Sequence, residues 1–273
     1  MNKLINRNFG IEVEFGSTIS RHAMADKIKL ATGIDMQVAD YYNKDNTWRL
    51  KHDGSISCGR YGMELVTPIL RNDLDLQKFL AVLEVCEKNG KVNRSCGVHV
   101  HVEIKNQDTM EKNVKKVMKF FGKYENALNG LISKSRRGNN NGYCRDNFYN
   151  EVDLYEVFGV INKKSVKSLI KTNDWFNGRD KWNFKNYWSQ GTVEFRAHQG
   201  TLNGEKIANW VFLTQAIINY AINSRGTIVK QGTTTKTYTT KDMLNELNKK
   251  DFIDTKMKSY YLTRKEELDA LQR

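Results

Sequence analysis

Three short stretches of this chain alternate apolar residues with groups able to hold a cation or an anion. In Phe9–Phe15 (FGIEVEF), Glu12 and Glu14 alternate with Ile11, Val13 and Phe15. In 98–104 (VHVHVEI), His99, His101 and Glu103 alternate with Val98, Val100, Val102 and Ile104. In Gly191–Leu202 (GTVEFRAHQGTL), Glu194, Arg196 and His198 alternate with Val193, Phe195 and Ala197. A period of two is that of a β-strand, whose successive side chains point to opposite faces. Each stretch is therefore expected to be a strand with one core face and one ionisable face. A merely solvated sheet face usually carries Thr, Ser, Lys and Gln, whereas these faces carry acids, imidazoles and a guanidinium.

A fourth acid, Glu64, lies in GMELVT (62–67), a strand that Pro68, the only proline of the chain, brings to an end. Four carboxylates converging from Glu12, Glu14, Glu64 and Glu194 would repel and raise one another's pKa values, and divalent cations would relieve that. Oxygen donors with an imidazole from His99 or His101 suit Mg²⁺ or Mn²⁺ better than zinc, because no thiolate is arranged to help. Arg196 shares a face with Glu194, and an arginine beside a metal site can grip a phosphate or a carboxylate with two parallel hydrogen bonds. Metal with arginine suggests phosphoryl chemistry. The chain has no GxxxxGK[ST] loop, no GxGxxG after a strand, no kinase set and no HExxH, so a nucleotide would have to be held on the sheet through metals. Glu103 and His198 are further candidates for the inward set, the alternatives being a solvent-facing strand end for Glu103 and a turn at Gly200 shaped by His198 and Gln199, while Asp53 and Ser55 read as turn formers.

The elements that must position these groups follow from periodicity and breakers. Helices are expected over Arg21–Leu30, stopped by Gly33, and over Asp73–Asn89, stopped by Gly90, the second covering the apolar side of the sheet. Val114, Val117, Met118, Phe121, Leu128, Leu131 and Ile132 mark a longer helix whose Lys112, Lys116, Lys119 and Lys123 line another face. Residues 151–172 read as interrupted helix, and Ile207–Ala221 as an apolar helix buried under the sheet. Between them Ser133–Asn147 is a loop carrying Arg136, Arg137 and Arg145, free to wrap a ligand. From Thr227 a hairpin and two short helices are expected. No domain boundary is evident, so the cheapest architecture is a single α+β domain, a mainly antiparallel sheet with helices on one face, with 227–273 an extension packed on residues 1–226.

Length and composition bound the function. At 273 residues with 39% apolar content the chain can bury a real core. No stretch approaches the roughly 20 apolar residues of a membrane span and none reads as a signal peptide, so a cytoplasmic protein is expected. Cys58, Cys86, Cys96 and Cys144 form no CxxC pair and read as free thiols. The net charge is +13, and residues 111–137 and 161–185 hold eleven of those charges. The middle of the chain therefore meets whatever anion the protein meets.

FGIEVEFG, DGSI followed by GMELVTPIL, CGVHVHVEI, RRGNNNGYC and GTVEFRAHQGTLNGEKIANWV, in that order and spacing, resemble the amidoligase family, of the glutamine synthetase and glutamate-cysteine ligase superfamily. The likeness runs from about Phe9 to about Ala221. It implies an ATP-dependent carboxylate-amine ligase on a curved antiparallel sheet like the glutamine synthetase catalytic domain, with Mg²⁺ bridging strand acids and ATP phosphates. It also implies that Glu12, Glu14, Glu64 and Glu194 ligate metal, that one of His99 and His101 approaches a metal or the γ-phosphate, and that Arg196 holds phosphate. Glu194, Arg196 and His101 would then serve catalysis, and Arg136, Arg137, Arg145, Arg179 and Lys181 become candidates for nucleotide or carboxylate contacts. The substrates would be a carboxylate and an amine, an acidic peptide or protein among the options.

A second class stays open. The lysine stripes at 112–123 and 163–171, with Trp175, Phe176, Trp182, Phe184, Tyr187 and Trp188, would suit a nucleic-acid surface that tracks phosphates and stacks bases. The acids would repel a polyanion unless metals intervene, so a metal-dependent nuclease or phosphoesterase accounts for both features.

Overall fold

In the computed structural model, which describes residues 6–39, 46–104, 110–138, 141–148, 151–172, 178–225 and 227–271, β1 (Phe9–Ser17) realises the expected alternation. Phe9, Ile11, Val13 and Phe15 are buried, while Glu12 and Glu14 on the opposite face are half-buried. The described residues form a mixed α+β structure with a largely antiparallel open sheet. The chain divides into two compact units, one of 1–102 with 198–212 and the other of 103–197 with 213–273. It passes between them inside strands and helices rather than through linkers. That is why no composition shift or Pro/Gly-rich stretch marks a boundary.

In the first unit β1 is followed by α1 (Arg21–Thr32), capped by the Ser20 side chain and ended, as expected, by Gly33 in the left-handed conformation at φ 73°. Next come β2 (Gln37–Ala39), β3 (Arg49–His52), β4 (Tyr61–Val66), α2 (Asp73–Asn89), β5 (Gly90–Lys91) and β6 (Gly97–Glu103). The strand order is β2-β3-β4-β1-β6, with β5 paired to the end of β1. Only β2 and β3 run parallel. The Asn72 side chain caps α2, and Asp73 and Asp75 sit in its first turn, where the helix dipole favours acids. Leu76, Phe79, Val82, Leu83 and Cys86 form its buried face. At its far end Gly90 meets the Phe15 ring so closely that a Cβ would lie 2.7 Å from it, so α2 ends against the apolar side of β1.

The second unit holds α3 (Met110–Asn129), α4 (Leu154–Lys163), α5 (Val166–Thr172), β7 (Trp182–Asn183), α6 (Tyr187–Gln190) and β8 (Thr192–Gln199), whose last two residues belong to the first unit. Most of α7 (Gly204–Asn223), α8 (Thr240–Lys249) and α9 (Thr255–Ala270) completes it. β7 pairs with β8 through Trp182 opposite Phe195 and Asn183 opposite Glu194. Phe121 of α3 stacks on Trp182 at 4.7 Å and meets Phe195 edge-on at 5.4 Å. The hairpin expected after Thr227 is instead a turn-rich segment, because Thr234 bridges to Asp153 rather than to a neighbouring strand. The two helices expected after it are α8 and α9. Among the described residues no helix is long and apolar enough to cross a membrane.

Candidate active site

The strand register of the first unit assembles a polar face row by row. Lys51 on β3 lies opposite Glu64 on β4, and Glu64 lies opposite Glu14 on β1. One step along, Arg49 is opposite Val66, Val66 opposite Glu12, and Glu12 opposite His99 on β6. The next step places Gly10 opposite His101. Residues directly opposite in a ladder share a face, so Glu12, Glu14, Glu64, His99 and His101 converge as expected.

The contacts are close. His99 Nδ1 is 3.2 Å from Glu12 Oε2, its Nε2 is 3.7 Å from Glu14 Oε1, and His101 Nε2 is 3.5 Å from Glu12 Oε1. Glu14 Oε2 accepts the Gly97 N–H at 2.6 Å. One ligand atom from each of Glu12, Glu64 and His99 can be chosen so that all lie within 4.8 Å of one another.

The charges divide the acids into two kinds. Burial pushes the Glu64 carboxyl well above the usual range, the nearby charges of Glu12, Glu14 and Asp53 push the same way, and the Lys51 ammonium 3.7 Å away opposes them without offsetting them. Burial also acts to raise Glu12, but the hydrogen bonds and charges of His101 and His99 outweigh it and hold Glu12 well below that range. An acid whose ionised form is disfavoured by burial and by neighbouring carboxylates, even with an ammonium 3.7 Å away, is what a hard divalent cation satisfies. Oxygen donors dominate the set, so its chemistry fits Mg²⁺ or Mn²⁺.

Glycines shape access to this face. A Cβ on Gly16 would lie 1.7 Å from the Cys58 carbonyl oxygen, and one on Gly62 2.4 Å from the Asp53 carbonyl oxygen. The Asp53–Arg60 loop therefore closes the face at that end. Its turn is held by Asp53 Oδ1, which accepts both the Ser55 N–H and hydroxyl, so these two residues form the turn. At the other end a Cβ on Gly10 would meet only ordinary contacts at 3.9 Å, and the bare backbone leaves room beside His101 and Glu12.

In the second unit Glu194 is buried on β8. Its Oε2 accepts from Asn183 Nδ2 at 2.7 Å and Asn186 Nδ2 at 3.0 Å, and its Oε1 accepts from Arg196 Nη1 at 2.5 Å. Arg196 also donates through Nε to the Tyr143 carbonyl at 3.3 Å. Asn183 and Asn186 were not singled out in the sequence, although they sit in the Asn- and aromatic-rich run that leads into β8. Glu103 is half-buried at the end of β6. His198 is buried, stacks on Trp210 at 5.1 Å and points Nδ1 at the Gln199 carbonyl, a role in the turn at Gly200.

Among the described residues of the basic loop, Arg136, Arg137 and Arg145 are engaged within the second unit. Arg136 is buried and donates Nη2 to the Arg196 carbonyl at 2.7 Å, while Arg137 donates Nε to the Ile132 carbonyl at 2.9 Å. Arg145 pairs with Asp180 at 3.5 Å, and its backbone exchanges hydrogen bonds with Arg179 and Lys181. Lys181 is wholly buried, with its ammonium on Asp146 and on Asn129 Oδ1. As placed, Arg136 and Lys181 brace the second unit. A reach toward a nucleotide would break buried charge contacts, which costs several kcal/mol. Burial also limits the aromatic run of the nucleic-acid alternative. Trp182, Phe184 and Tyr187 are core residues and Trp188 is 56% exposed, while Trp175 and Phe176 lie outside the described residues.

Sequence reading also passed over Arg49 and Lys51. The signal was present, since they flank Leu50, which is fully buried, and so share the opposite face of a strand. A short strand with two cations reads as a solvated edge until its register places it beside acids.

None of the curated proteins compared with this chain matches it. A family model described as "Putative amidoligase enzyme" matches residues 5–218, a span that holds every strand of the polar face and β8, and the chain therefore belongs to that family.

Proposed function

We propose that this protein is an ATP- and Mg²⁺-dependent carboxylate-amine ligase that forms an amide or peptide bond through an acyl phosphate. The observation that carries the reading is the polar face of the first unit, where Glu12, Glu14, Glu64, His99 and His101 meet and the Glu64 carboxyl stays raised although Lys51 stands beside it. Family membership supports a ligase, and the likeness to the glutamine synthetase superfamily supports the nucleotide, the metal and the curved-sheet form. Residues 1–226 are assigned to catalysis and 227–273 to an extension. Mg²⁺ would be held by Glu12, Glu14, Glu64 and His99, and when bound would neutralise charge on the phosphoryl group.

The chain's own groups have distinct work in this scheme. A substrate carboxylate oxygen attacks the γ-phosphorus, and ADP leaves. An amine nitrogen then attacks the acyl carbon, and phosphate departs as the amide forms. Arg196, whose guanidinium Glu194 fixes, would stabilise charge on the phosphoryl oxygens, and Glu194 would add its carboxylate to the residues that hold Mg²⁺. His101, opposite the bare backbone of Gly10, would approach the reacting phosphate. Lys51 and Arg49 add positive charge on the same face.

A groove of about 480 Å³ in the second unit, lined by Lys112, Lys115, Lys116, Lys119 and Arg225 with Glu111 and Asn162, favours an acidic acceptor such as an acidic peptide. The same groove would serve the metal-dependent nuclease reading.

The test is incubation with ATP, Mg²⁺, hydroxylamine and a panel of amino and dicarboxylic acids. Hydroxamate formed with equal ADP and phosphate supports the ligase. Cleavage of a labelled oligonucleotide with ATP left intact supports the nuclease instead.

A further inference from the structure

Cys58 and Cys96 stand apart from the other thiols because their sulfurs are 3.6 Å from each other. Cys58 lies in the Asp53–Arg60 loop and is half-exposed, whereas Cys96 lies in the turn ahead of β6 and is buried. A disulfide needs about 2.05 Å between sulfurs, and neither residue is locked in a helix or strand that resists a small torsional change. The two segments are already tied together. Ser57 N–H donates to Ser95 Oγ at 2.9 Å, Asn93 Nδ2 donates to the Ser57 carbonyl at 3.4 Å, and the Cys58 thiol faces the Lys91 carbonyl at 3.4 Å.

Both backbones are pinned as well. The Cys58 carbonyl sits on Gly16, and the Cys96 carbonyl accepts the Gly200 N–H at 2.9 Å, with the Cys96 Cβ pressed against the bare Gly200 backbone. The Ser57–Ser95 and Asn93–Ser57 hydrogen bonds and the two backbone contacts thus hold the pair in proximity independently of either sulfur. Cys86 is buried in α2, and Cys144 is buried in the second unit.

We infer that Cys58 and Cys96 are a redox-responsive modification site, converted by a hydroperoxide into an intramolecular disulfide that fastens the Asp53–Arg60 loop to the turn ahead of β6. Cys58, the more exposed thiol, reacts first. Its sulfur attacks the peroxide, the O–O bond breaks, and Cys58 becomes a sulfenic acid while an alcohol or water leaves. The Cys96 sulfur then attacks the Cys58 sulfur. The S–S bond forms, the S–O bond breaks, and the departing hydroxide takes the Cys96 proton as water. Two thiols lose two electrons in total, and the O–O bond receives them. Gly97, next to Cys96, donates its N–H to Glu14, so the disulfide joins the loop over the polar face to the strand end that orients one of its acids. The modification stands whether or not that face binds a nucleotide.

The test uses the full reduced chain treated with stoichiometric hydrogen peroxide, alkylated under denaturing conditions and mapped by peptide mass spectrometry. The expected result is one cross-linked peptide pair containing Cys58 and Cys96, reversed by dithiothreitol, with Cys86 and Cys144 alkylated. Cys58→Ser abolishes the cross-link and leaves all three remaining thiols alkylated. Cys96→Ser traps Cys58 as a dimedone adduct. Because Cys96 is buried and its variant can misfold, Cys58→Ser carries the comparison. Four alkylated thiols after peroxide, a Cys58 oxidised beside an alkylated Cys96, or a disulfide with any other pairing overturns the inference.

Discussion

Glu64 sits between Glu14 on one neighbouring strand and Lys51 on the other, and the ammonium 3.7 Å away does not offset its burial and the surrounding acids. Its raised pKa means that the folded protein favours the neutral acid. In the absence of metal, that contribution is complete below the unfolded value and is lost as pH rises through the folded one. At neutral pH without metal, Glu64→Gln should therefore melt no lower than wild type. With Mg²⁺ the order should reverse. A ligand at a hundred times its dissociation constant stabilises the folded state by about 2.7 kcal/mol, and Glu64→Gln should lose most of that gain in thermal melts. A metal-induced shift equal in both proteins would remove Glu64 from the ligand set. Arg196 tests differently, because Glu194 and the Tyr143 carbonyl engage it within its own unit. Arg196→Ala should keep metal binding while losing phosphoryl transfer, read as hydroxamate formation.

At the scale of elements, the face depends on glycines that let a loop lie on strands. Gly16→Ala would drive a methyl into the Cys58 carbonyl, and we expect a loss of about 3 kcal/mol or more in denaturant unfolding, in the range of core overpacking. On α3, Lys116 donates to the Ile222 and Ser224 carbonyls at 2.6 and 3.0 Å, capping the C-terminal end of α7. Lys116→Ala should cost about 1 kcal/mol of stability and leave ATP binding unchanged. The strands with the clearest period of two were readable from sequence, with Glu12, Glu14, His99 and His101 on their correct faces, because a buried face imposes that period. Register was not readable. Alternation shows that Lys51 and Glu64 face one way on their own strands, but only pairing puts them opposite each other. The burial of two basic residues was unreadable for a related reason. Arg136 and Lys181 belong to types that are mostly exposed, and nothing local in RRGNNNGYC or RDKW reveals that Asp146, Asn129 and a strand carbonyl will enclose them.

At the scale of the whole molecule, the charge of +13 says that an anion is met but not which one, and the basic groove of the second unit narrows it only to an acidic ligand. Stability should carry its own pH signature. Burial, then the charge of Asp146, lifts Glu125 to about 8 despite Lys181 and the two backbone N–H groups that it accepts. A raised carboxyl stabilises fully below its unfolded pKa, near 4.5, and the contribution fades as pH rises through about 8. Denaturant midpoints should therefore fall between those values in wild type, and Glu125→Gln, less stable overall, should show a flatter profile. The central claim, that the polar face holds a metal-bound nucleotide, is met most directly by calorimetric titration of ATP into the protein with and without Mg²⁺, repeated on Glu64→Gln. Binding should require the metal and be lost in the variant. ATP binding that is indifferent to Mg²⁺ and to Glu64, or no binding in protein shown to be folded, would contradict it.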